Sequence, residues 1–208
     1  MIIIGGKNII IKKGDLTEEA TDAIVNPANS YLKHGGGATW AIVNKGGSII
    51  QKESDDIVSE NGPIPIGQAV ITESGSLPCK YVIHAIGPKN GEGNEPEKLR
   101  QTVLSALELA NKKMLTSISM PAISSGIYGF PKPLCAKILI ETAAEFLKQD
   151  DLYLTTVVMC NDDYKTYNIF LEEEESYINK LRLQPLSHAH RSLDKTSQIN
   201  NKQNKIPH

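Results

Sequence analysis

Hydrophobic residues in positions 1–183 of this chain recur with two different periods. Short apolar runs rich in β-branched residues predict strands, whereas apolar residues three or four positions apart predict helices. The predicted strands cover residues 7–13, 21–25, 68–73, 80–86, 117–123 and 153–160. The predicted helices cover residues 37–44, 48–60, 96–114, 133–147 and 163–182.

This order of elements predicts a single α/β domain with a mixed sheet between helix layers. The nearly continuous apolar run at 153–160 is typical of a strand that is covered on both faces. Four consecutive glutamates at 172–175 are expected on a solvated helix face.

Charge is divided unevenly along the chain. The 208 residues include 22 Lys and Arg against 24 Asp and Glu, a net charge of -2. Four basic residues and one Asp give residues 184–208 a charge of +3, which leaves -5 for residues 1–183. The near-neutral total excludes a broad basic surface for non-specific nucleic-acid binding. Binding of RNA or poly(A) through the last 25 residues and an adenine pocket remains an alternative.

Residues 184–208 contain few aliphatic side chains and cannot bury enough apolar surface to fold, so we expect a flexible polar tail. Its His188 and His190 lack Cys or acidic partners and are interpreted as solvated, with no metal site expected. The three cysteines are far apart in sequence, so we expect them to be reduced and buried, and they are Cys79, Cys135 and Cys160.

Neither a bilayer-spanning run nor a signal peptide is evident in the sequence. We therefore expect a soluble, cytoplasmic monomer, or a nuclear one if the source is eukaryotic.

Loops that follow predicted strands carry the candidate chemistry, because ligands bind at the carboxyl ends of strands in such sheets. Gly35, Gly36 and Gly37 open the helix at 37–44, and SSGIYG at 124–129 follows the strand at 117–123. Glycines let a backbone approach a ligand, and free amides at a helix N-terminus attract anions. Two such loops suit a diphosphate held from both sides, although each is alternatively a turn or a helix cap. No P-loop or GxGxxG motif is present.

Four polar side chains in these loops have both a binding and a structural interpretation. Asp15 is able to accept a hydrogen bond from an exocyclic amine such as that of adenine, or it caps the turn that follows. Asn26 and Asn29 offer amides to ribose hydroxyls or water, or they form turns around Pro27. Tyr128 covers a sugar face or fills its own loop.

The motifs GDLT, NPANSYLKHGGG and SSGIYG, in this order and spacing, resemble the macrodomain family over essentially all of residues 1–183. NSYLKHGGG and QKESDDIVSENGPIPIGQAV are especially similar to macrodomains of viral replicase polyproteins. ITESGSLPCKYVIHAIGP and PAISSGIYGFP are similar to macrodomains appended to eukaryotic ADP-ribosyltransferases. The resemblance implies a three-layer α/β/α sandwich that binds ADP-ribose, free or attached to proteins, without a metal or cofactor.

Roles for individual residues follow from the same resemblance. It implies that Asp15 and Leu16 lie at the adenine and that the 124–128 loop cradles the diphosphate. Catalysis is assigned to Asn29, Gly37 and Tyr128, which surround the distal ribose. The full set of expected ligand-binding residues is Asp15, Leu16, Asn26, Asn29, Gly35, Gly36, Gly37, Ser124, Ser125, Gly126, Ile127, Tyr128 and Asn161.

Two positions depart from the family pattern. Thr39 stands where one subclass of hydrolases has the Asp that positions the attacking water. No aromatic residue stands at Cys160 or Asn161 to stack on adenine, which leaves Tyr164 or Tyr167 for that role. We expect hydrolysis of the bond between mono-ADP-ribose and an acidic side chain, or of related ADP-ribose esters. A non-catalytic reader of ADP-ribosylated proteins is the alternative.

Overall fold

The computed structural model describes residues 1–183, which form seven strands and five helices. The strands are β1 (Ile2–Ile4), β2 (Lys7–Lys13), β3 (Ala23–Ala28), β4 (Ala69–Glu73), β5 (Tyr81–Ile86), β6 (Ser117–Met120) and β7 (Thr156–Asn161). The helices are α1 (Gly37–Gly46), α2 (Ser48–Asn61), α3 (Glu95–Lys112), α4 (Lys132–Leu147) and α5 (Tyr164–Leu183).

All seven strands belong to one mixed sheet with the order β1-β2-β7-β6-β3-β5-β4. The five inner strands are parallel, and the two edge strands are antiparallel to their neighbours. Each parallel connection requires a crossover, and the helices supply these crossovers. The predicted α/β class with a mixed sheet is confirmed.

Both faces of the sheet are apolar, and helices cover each of them. In β3, Ala23 and Val25 pack into the core formed with α3, α4 and α5. Ile24, between them, packs on the opposite face with Ile42 of α1 and Ile50 of α2. Successive side chains of a strand point to opposite faces, so a strand covered on both faces has a continuous apolar sequence. The three-layer sandwich implied by the resemblance is the observed architecture.

The sequence analysis missed β1, which pairs with β2 in the register Ile2↔Ile9 to Ile4↔Lys7. Gly5 and Gly6 join the two strands with φ of 55° and 84°. A two-residue hairpin turn with positive φ at both positions favours Gly-Gly, so this dipeptide was the signal for the extra strand.

Two further expectations are corrected or confirmed by side-chain burial. The run 172–175 does not form a uniformly solvated face, because the carboxylate of Glu174 forms an ion pair with the amino group of Met1 at 2.6 Å. Burial also raises the pKa of Glu173.

All three cysteines are buried and free, as expected. The predicted tail at 184–208, with its histidines, lies outside the described residues. No helix between residues 1 and 183 has the length and hydropathy to cross a membrane.

The sheet separates between β3 and β6. These strands pair only at Ala23↔Ile118 and Ile24↔Ser119, after which β3 continues to Ala28 while β6 ends at Met120. Two parallel strands that lose their hydrogen bonds leave a crevice between the loops that follow them, and this is where such sheets bind ligands.

Asp22 closes the opposite, amino-terminal end of the same strand pair. Its Oδ2 accepts hydrogen bonds from the Thr116 amide at 2.8 Å, the Thr116 hydroxyl at 2.7 Å and the Ser117 amide at 3.3 Å. Its Oδ1 accepts from Lys80 Nζ at 2.8 Å. The Lys80 ammonium, together with the Thr116 donors, holds the pKa of the Asp22 carboxyl well below its usual range.

We expect Asp22→Asn to lower the free energy of unfolding by about 1–3 kcal/mol at neutral pH, because an amide cannot replace a carboxylate that accepts four hydrogen bonds. The folded-state pKa is depressed, so this stability is present above the ordinary pKa of Asp and is lost as the pH falls below it. Urea unfolding at pH 7 and below about pH 4 measures both effects, with the exposed Asp150→Asn as control. A gap between wild type and D22N that is as large in acid as it is at pH 7 would contradict this account.

Candidate functional site

A cavity of about 690 Å³ opens at the carboxyl end of the five parallel strands. Its wall is assembled from the loops that follow β2, β3, β5, β6 and β7. All of the expected ligand-binding residues except one line it, namely Asp15, Leu16, Asn29, Gly35, Gly36, Gly37, Ser124, Ser125, Gly126, Ile127, Tyr128 and Asn161. The exception is Asn26.

Asp15 lies at one end of the cavity with a partly occupied carboxylate. It caps a short 3₁₀ turn at Leu16–Glu18, with Oδ1 accepting from the amide of Thr17 at 2.9 Å and its hydroxyl at 2.6 Å. Lys45 Nζ donates to Oδ2 at 2.9 Å. The Thr17 hydroxyl, helped by Lys45, lowers the pKa of Asp15 and keeps it ionised. The side chain is 52% exposed, and an ionised carboxylate has about four acceptor positions, so it retains capacity for another donor.

The glycine loop, residues 35–37, supplies unpaired amides at the start of α1. Gly37 has a φ of 58°, and nothing lies within 4 Å of a Cβ built on Gly35 or Gly36. Among the hydrogen bonds within residues 1–183, none is donated by the backbone amides from Gly35 to Thr39. Free amides at the N-terminus of a ten-residue helix form a site for an anion, reinforced by the helix dipole.

The loop between β6 and α4 supplies a second group of amides. Ser124 has a φ of 64°, unusual for a residue with a side chain, and the loop is closed by Phe130 N donating to Ser124 O at 3.0 Å. The amides of Gly126, Ile127 and Tyr128 donate to no acceptor in the part of the chain that is described. Ile127 bridges the two loops, because its Cδ1 lies 3.9 Å from the position of a Cβ at Gly37.

Asn29 lies near the glycine loop and is bonded to its own segment. Its Nδ2 donates to Lys33 O at 2.6 Å, and its Oδ1 accepts from the amides of Tyr31 at 3.1 Å and Lys33 at 3.3 Å. The turn that was the structural alternative is therefore present. One N–H of the amide remains for a ligand in addition to these bonds.

A model of the Macro domain family matches residues 25–139. The chain is 38% identical over 170 residues to an O-acetyl-ADP-ribose deacetylase of Escherichia fergusonii, with 80% of this chain and 96% of that protein aligned. The chain belongs to the Macro domain family.

The chain is also similar to a longer protein and to a solved macrodomain structure. A Thermotoga maritima protein is 51% identical over 171 residues; the alignment covers 81% of this chain but only 28% of that protein. A macrodomain mutant of Oceanobacillus iheyensis with ADPR has a TM-score of 0.77 at 34% identity, over 82% of this chain and 92% of that one. The particular closeness to viral macrodomains stays a prediction.

Carboxylates and aromatic rings are distributed unevenly in this macrodomain's cavity. The acidic residues that line it, within residues 1–183, are Asp15, Asp162 and Asp163, which follow β2 and β7. At the glycine loop, Thr39 is bonded through its hydroxyl to Gly36 O at 2.6 Å. The end of the cavity with the glycine loop therefore has no protein carboxylate to act as a base.

Neither tyrosine proposed as the adenine platform lines the cavity. Tyr164 is 69% exposed and lies beneath Lys13 Nζ, which is 4.3 Å from the ring centroid. Tyr167 is likewise absent from the lining. The side chains beside Asp15 are the aliphatic Leu16 and Ile42. That expectation is wrong, because neither ring forms part of the cavity wall.

Asn26 is a buried core residue, contrary to its expected role in ligand binding. It is 0% exposed and lies within β3, where its Nδ2 is 2.9 Å from His84 Nδ1 and 3.2 Å from His34 Nδ1. His84 Nε2 is 2.9 Å from Thr72 Oγ1, and His34 Nε2 is 3.1 Å from Ser54 Oγ. These five side chains, Asn26 included, form what we call the imidazole network, and the carbonyl of Glu73 completes it.

The protonation states in the imidazole network follow from its fixed ends. The Glu73 carbonyl only accepts, so the Thr72 hydroxyl donates to it and accepts from His84 Nε2. His84 therefore carries its proton on Nε2 and accepts from Asn26 through Nδ1. Burial, helped by His34, lowers the pKa of His84 to about 3. Burial also lowers the pKa of His34.

Several residues of the wall escaped the sequence analysis, and Gly87 is the clearest. A Cβ there would lie 2.2 Å from Ser124 Oγ and 3.0 Å from Ile123 Cγ2, so the close approach of β5 to the 124–128 loop requires glycine. The Gly-Pro pair directly after a predicted strand was the available signal.

Three further residues also line the cavity, namely Lys132, Asp163 and Thr166. Lys132 Nζ donates to Thr166 and lies 3.5 Å from Asp163. Among the described residues no cluster of three or more His, Cys, Asp or Glu could hold a metal ion.

The depressed pKa of His84 predicts a pH dependence of stability. A histidine whose folded-state pKa is lowered contributes no penalty above its ordinary pKa, and the protein loses stability as the pH falls from that value toward about 3. We expect the free energy of unfolding to fall by up to about 1.4 kcal/mol per pH unit for this one proton. Urea unfolding between about pH 6.5 and 5.5 measures the slope, and His84→Phe should reduce it. Identical slopes in the two proteins would refute the assignment.

Proposed function

We propose that this macrodomain binds ADP-ribose in the cavity at the carboxyl end of its sheet. The observation that carries the proposal is the pair of facing loops, each with unpaired amides, bridged by Ile127 across to Gly37. The diphosphate lies between these loops, the adenine lies toward Asp15 and Leu16, and the distal ribose lies at Asn29 and Tyr128. The family assignment supports this placement, as does the related macrodomain structure that contains ADPR.

Backbone amides explain how an acidic domain holds an anion. Residues 1–183 carry a net charge of -5, and the two lysines of the cavity wall, Lys33 and Lys132, are both paired with aspartates. Fixed amide dipoles at a helix N-terminus and in a turn attract a diphosphate without a basic side chain. The carboxylates lie at the other end of the cavity, where they favour the uncharged adenine.

We further propose that the domain hydrolyses the bond between mono-ADP-ribose and an acidic side chain, or a related ADP-ribose ester. Asn29 orients the distal ribose, and Gly37 and Tyr128 flank it. The attacking water is activated beside the substrate's own phosphate, because Thr39 offers no carboxylate. The 38% identical relative named as an O-acetyl-ADP-ribose deacetylase supports this ester chemistry. Its alternative is a non-catalytic reader, favoured by the same Thr39.

Asn29→Ala separates the two functions. We expect the wild-type protein to bind ADP-ribose in calorimetry and to release ADP-ribose from a glutamate-modified protein in a single-turnover assay. The variant should lose about 100-fold in the release rate, because misplacing the reacting ribose by about 1 Å has an effect of this size. Asn61→Ala, an exposed amide bonded to its own helix, is the matched control.

Tight binding by the wild type with no release above buffer, from either the modified protein or O-acetyl-ADP-ribose, would leave the reader as the function. An unchanged release rate in N29A would remove Asn29 from catalysis. Absence of ADP-ribose binding would refute the proposal as a whole.

Recognition of adenine by Asp15 gives a second test. We expect Asp15→Ala to weaken ADP-ribose binding by about 10-fold or more, the value of one charge-assisted hydrogen bond. It should also abolish the preference for ADP-ribose over its inosine analogue, which has a carbonyl in place of the amine. Glu18→Ala is the matched control, because Glu18 shares Lys45 with Asp15 but does not line the cavity. Equal losses in the two variants would assign the effect to Lys45.

A further inference from the structure

The strongest feature outside the cavity is the imidazole network directly behind it. Two buried histidines, neither of which lines the cavity, share the single amide group of Asn26. Their ring centroids are 5.1 Å apart. A buried polar cluster of this kind is expensive unless its bonds are made, and it then fixes one geometry. The segment that the imidazole network holds in place follows from the position of His34 in the chain.

His34 is the last side-chain anchor before the glycine loop. It is 7% exposed and immediately precedes Gly35 and Gly36, which have open space around them, and Gly37. Upstream, the segment is held by the fully buried Leu32 and by Gln51, which donates to Leu32 O at 3.1 Å. Only the two imidazole bonds, to Asn26 and Ser54, hold the side chain of His34. The amide of His34 also donates to Gln51 Oε1 at 3.4 Å, and Thr39 holds Gly36 O from the side of α1. The side-chain anchor at the upstream end of the glycine loop is therefore a neutral ring that accepts through Nδ1.

We propose that Asn26, His34 and Ser54 are positioning residues that orient the amides of the glycine loop, and that protonation of His34 releases this loop and weakens anion binding. Protonation places a second N–H on the ring, so Nδ1 faces the Nδ2 donor of Asn26 and that bond is lost. The identity of the anion in this proposal rests on the proposed binding of ADP-ribose. The coupling between the protonation of His34 and the orientation of the glycine loop does not.

The groups around His34 define the charge environment in which it titrates. On β3 and β5 it faces the uncharged Asn26 and the neutral ring of His84. On α2 it faces Ser54, and the carboxylate of Asp55, paired with Lys33 at 2.6 Å, acts on its charge. Asp55 favours the protonated ring, whereas burial and Lys33 oppose it. The transition therefore lies below the ordinary range of histidine.

Ser54 and Thr72 offer a matched pair of variants. Each is a buried hydroxyl bonded to Nε2 of one imidazole, but Ser54 acts on His34 and the loop, whereas Thr72 acts on His84 and the sheet. We expect Ser54→Ala to weaken ADP-ribose binding by about fivefold or more, the value of one buried hydrogen bond. Thr72→Val should leave the affinity for ADP-ribose within about twofold of the wild-type value. It should lower the thermal stability about as much as Ser54→Ala does, because each variant loses one buried hydrogen bond. Affinities that fall equally in both variants would show a structural role only and overturn the proposal.

The pH profile supplies the readout that a purely structural role would not move. Burial lowers the pKa of His34, so the affinity of the wild type for ADP-ribose should be constant above about pH 6.5 and should fall progressively from there to about pH 5. In His34→Gln the profile should be flat, since neither the diphosphate nor the adenine titrates in this range. A wild-type profile that is also flat would refute the release of the loop.

Nuclear magnetic resonance tests the coupling in the free protein. The ring nitrogens of His34 should report the Nε2–H form at neutral pH, and the amide signals of Gly35, Gly36 and Gly37 should shift with the midpoint of His34. Loop signals that do not follow this midpoint would overturn the proposal. If the wild type binds no ADP-ribose, the proposed function fails, and this measurement still decides the inference.

Discussion

The separation of β3 from β6 is the constraint on which the rest of the molecule depends. Two register pairs hold these strands together at one end, and Asp22 reinforces that end with four accepted hydrogen bonds. Beyond them the chain diverges into two loops that face each other across the crevice. In these loops the backbone amides of residues 35–39 and 126–128 have no partners in the described chain. The fold thus creates unpaired donors where a ligand can enter.

This origin of the donors determines which chemistry the cavity can perform. Amide dipoles need no counter-charge, so a domain with net charge -5 can hold a diphosphate while its carboxylates, Asp15, Asp162 and Asp163, gather at the opposite end. Because the carboxylates lie elsewhere, no protein base is present at the glycine loop. The hydroxyl of Thr39, at that end, donates its hydrogen bond to Gly36 O. The proposed hydrolysis at that end would draw its base from the substrate, so ligand binding and turnover would be separable properties of one site.

Much of this arrangement could be predicted from the sequence, because strands covered on both faces have continuous apolar runs and glycines mark close approaches. The position of Asn26 could not be predicted, because the sequence pattern misplaced the end of strand β3. The apolar pattern ended the strand at residue 25, whereas β3 continues to Ala28, through Pro27. Three residues assigned to a loop thereby belong to a strand, and Asn26 faces His34 and His84, which lie 8 and 58 residues away. Spacing along the chain contains no information about such partners.

The imidazole network also explains why a polar core persists behind an anion site. An apolar replacement would avoid the desolvation of two rings and an amide, and buried polar groups rarely raise stability for that reason. Their advantage is direction, since a hydrogen bond fixes an angle and apolar contact does not. Gly35, Gly36 and Gly37 have no side chains with which to fix themselves; Thr39 holds Gly36 O from the side of α1, and under the proposal His34 fixes the other end of the loop. A loop already oriented in the free protein loses less conformational entropy when the diphosphate binds, which strengthens binding without any added contact.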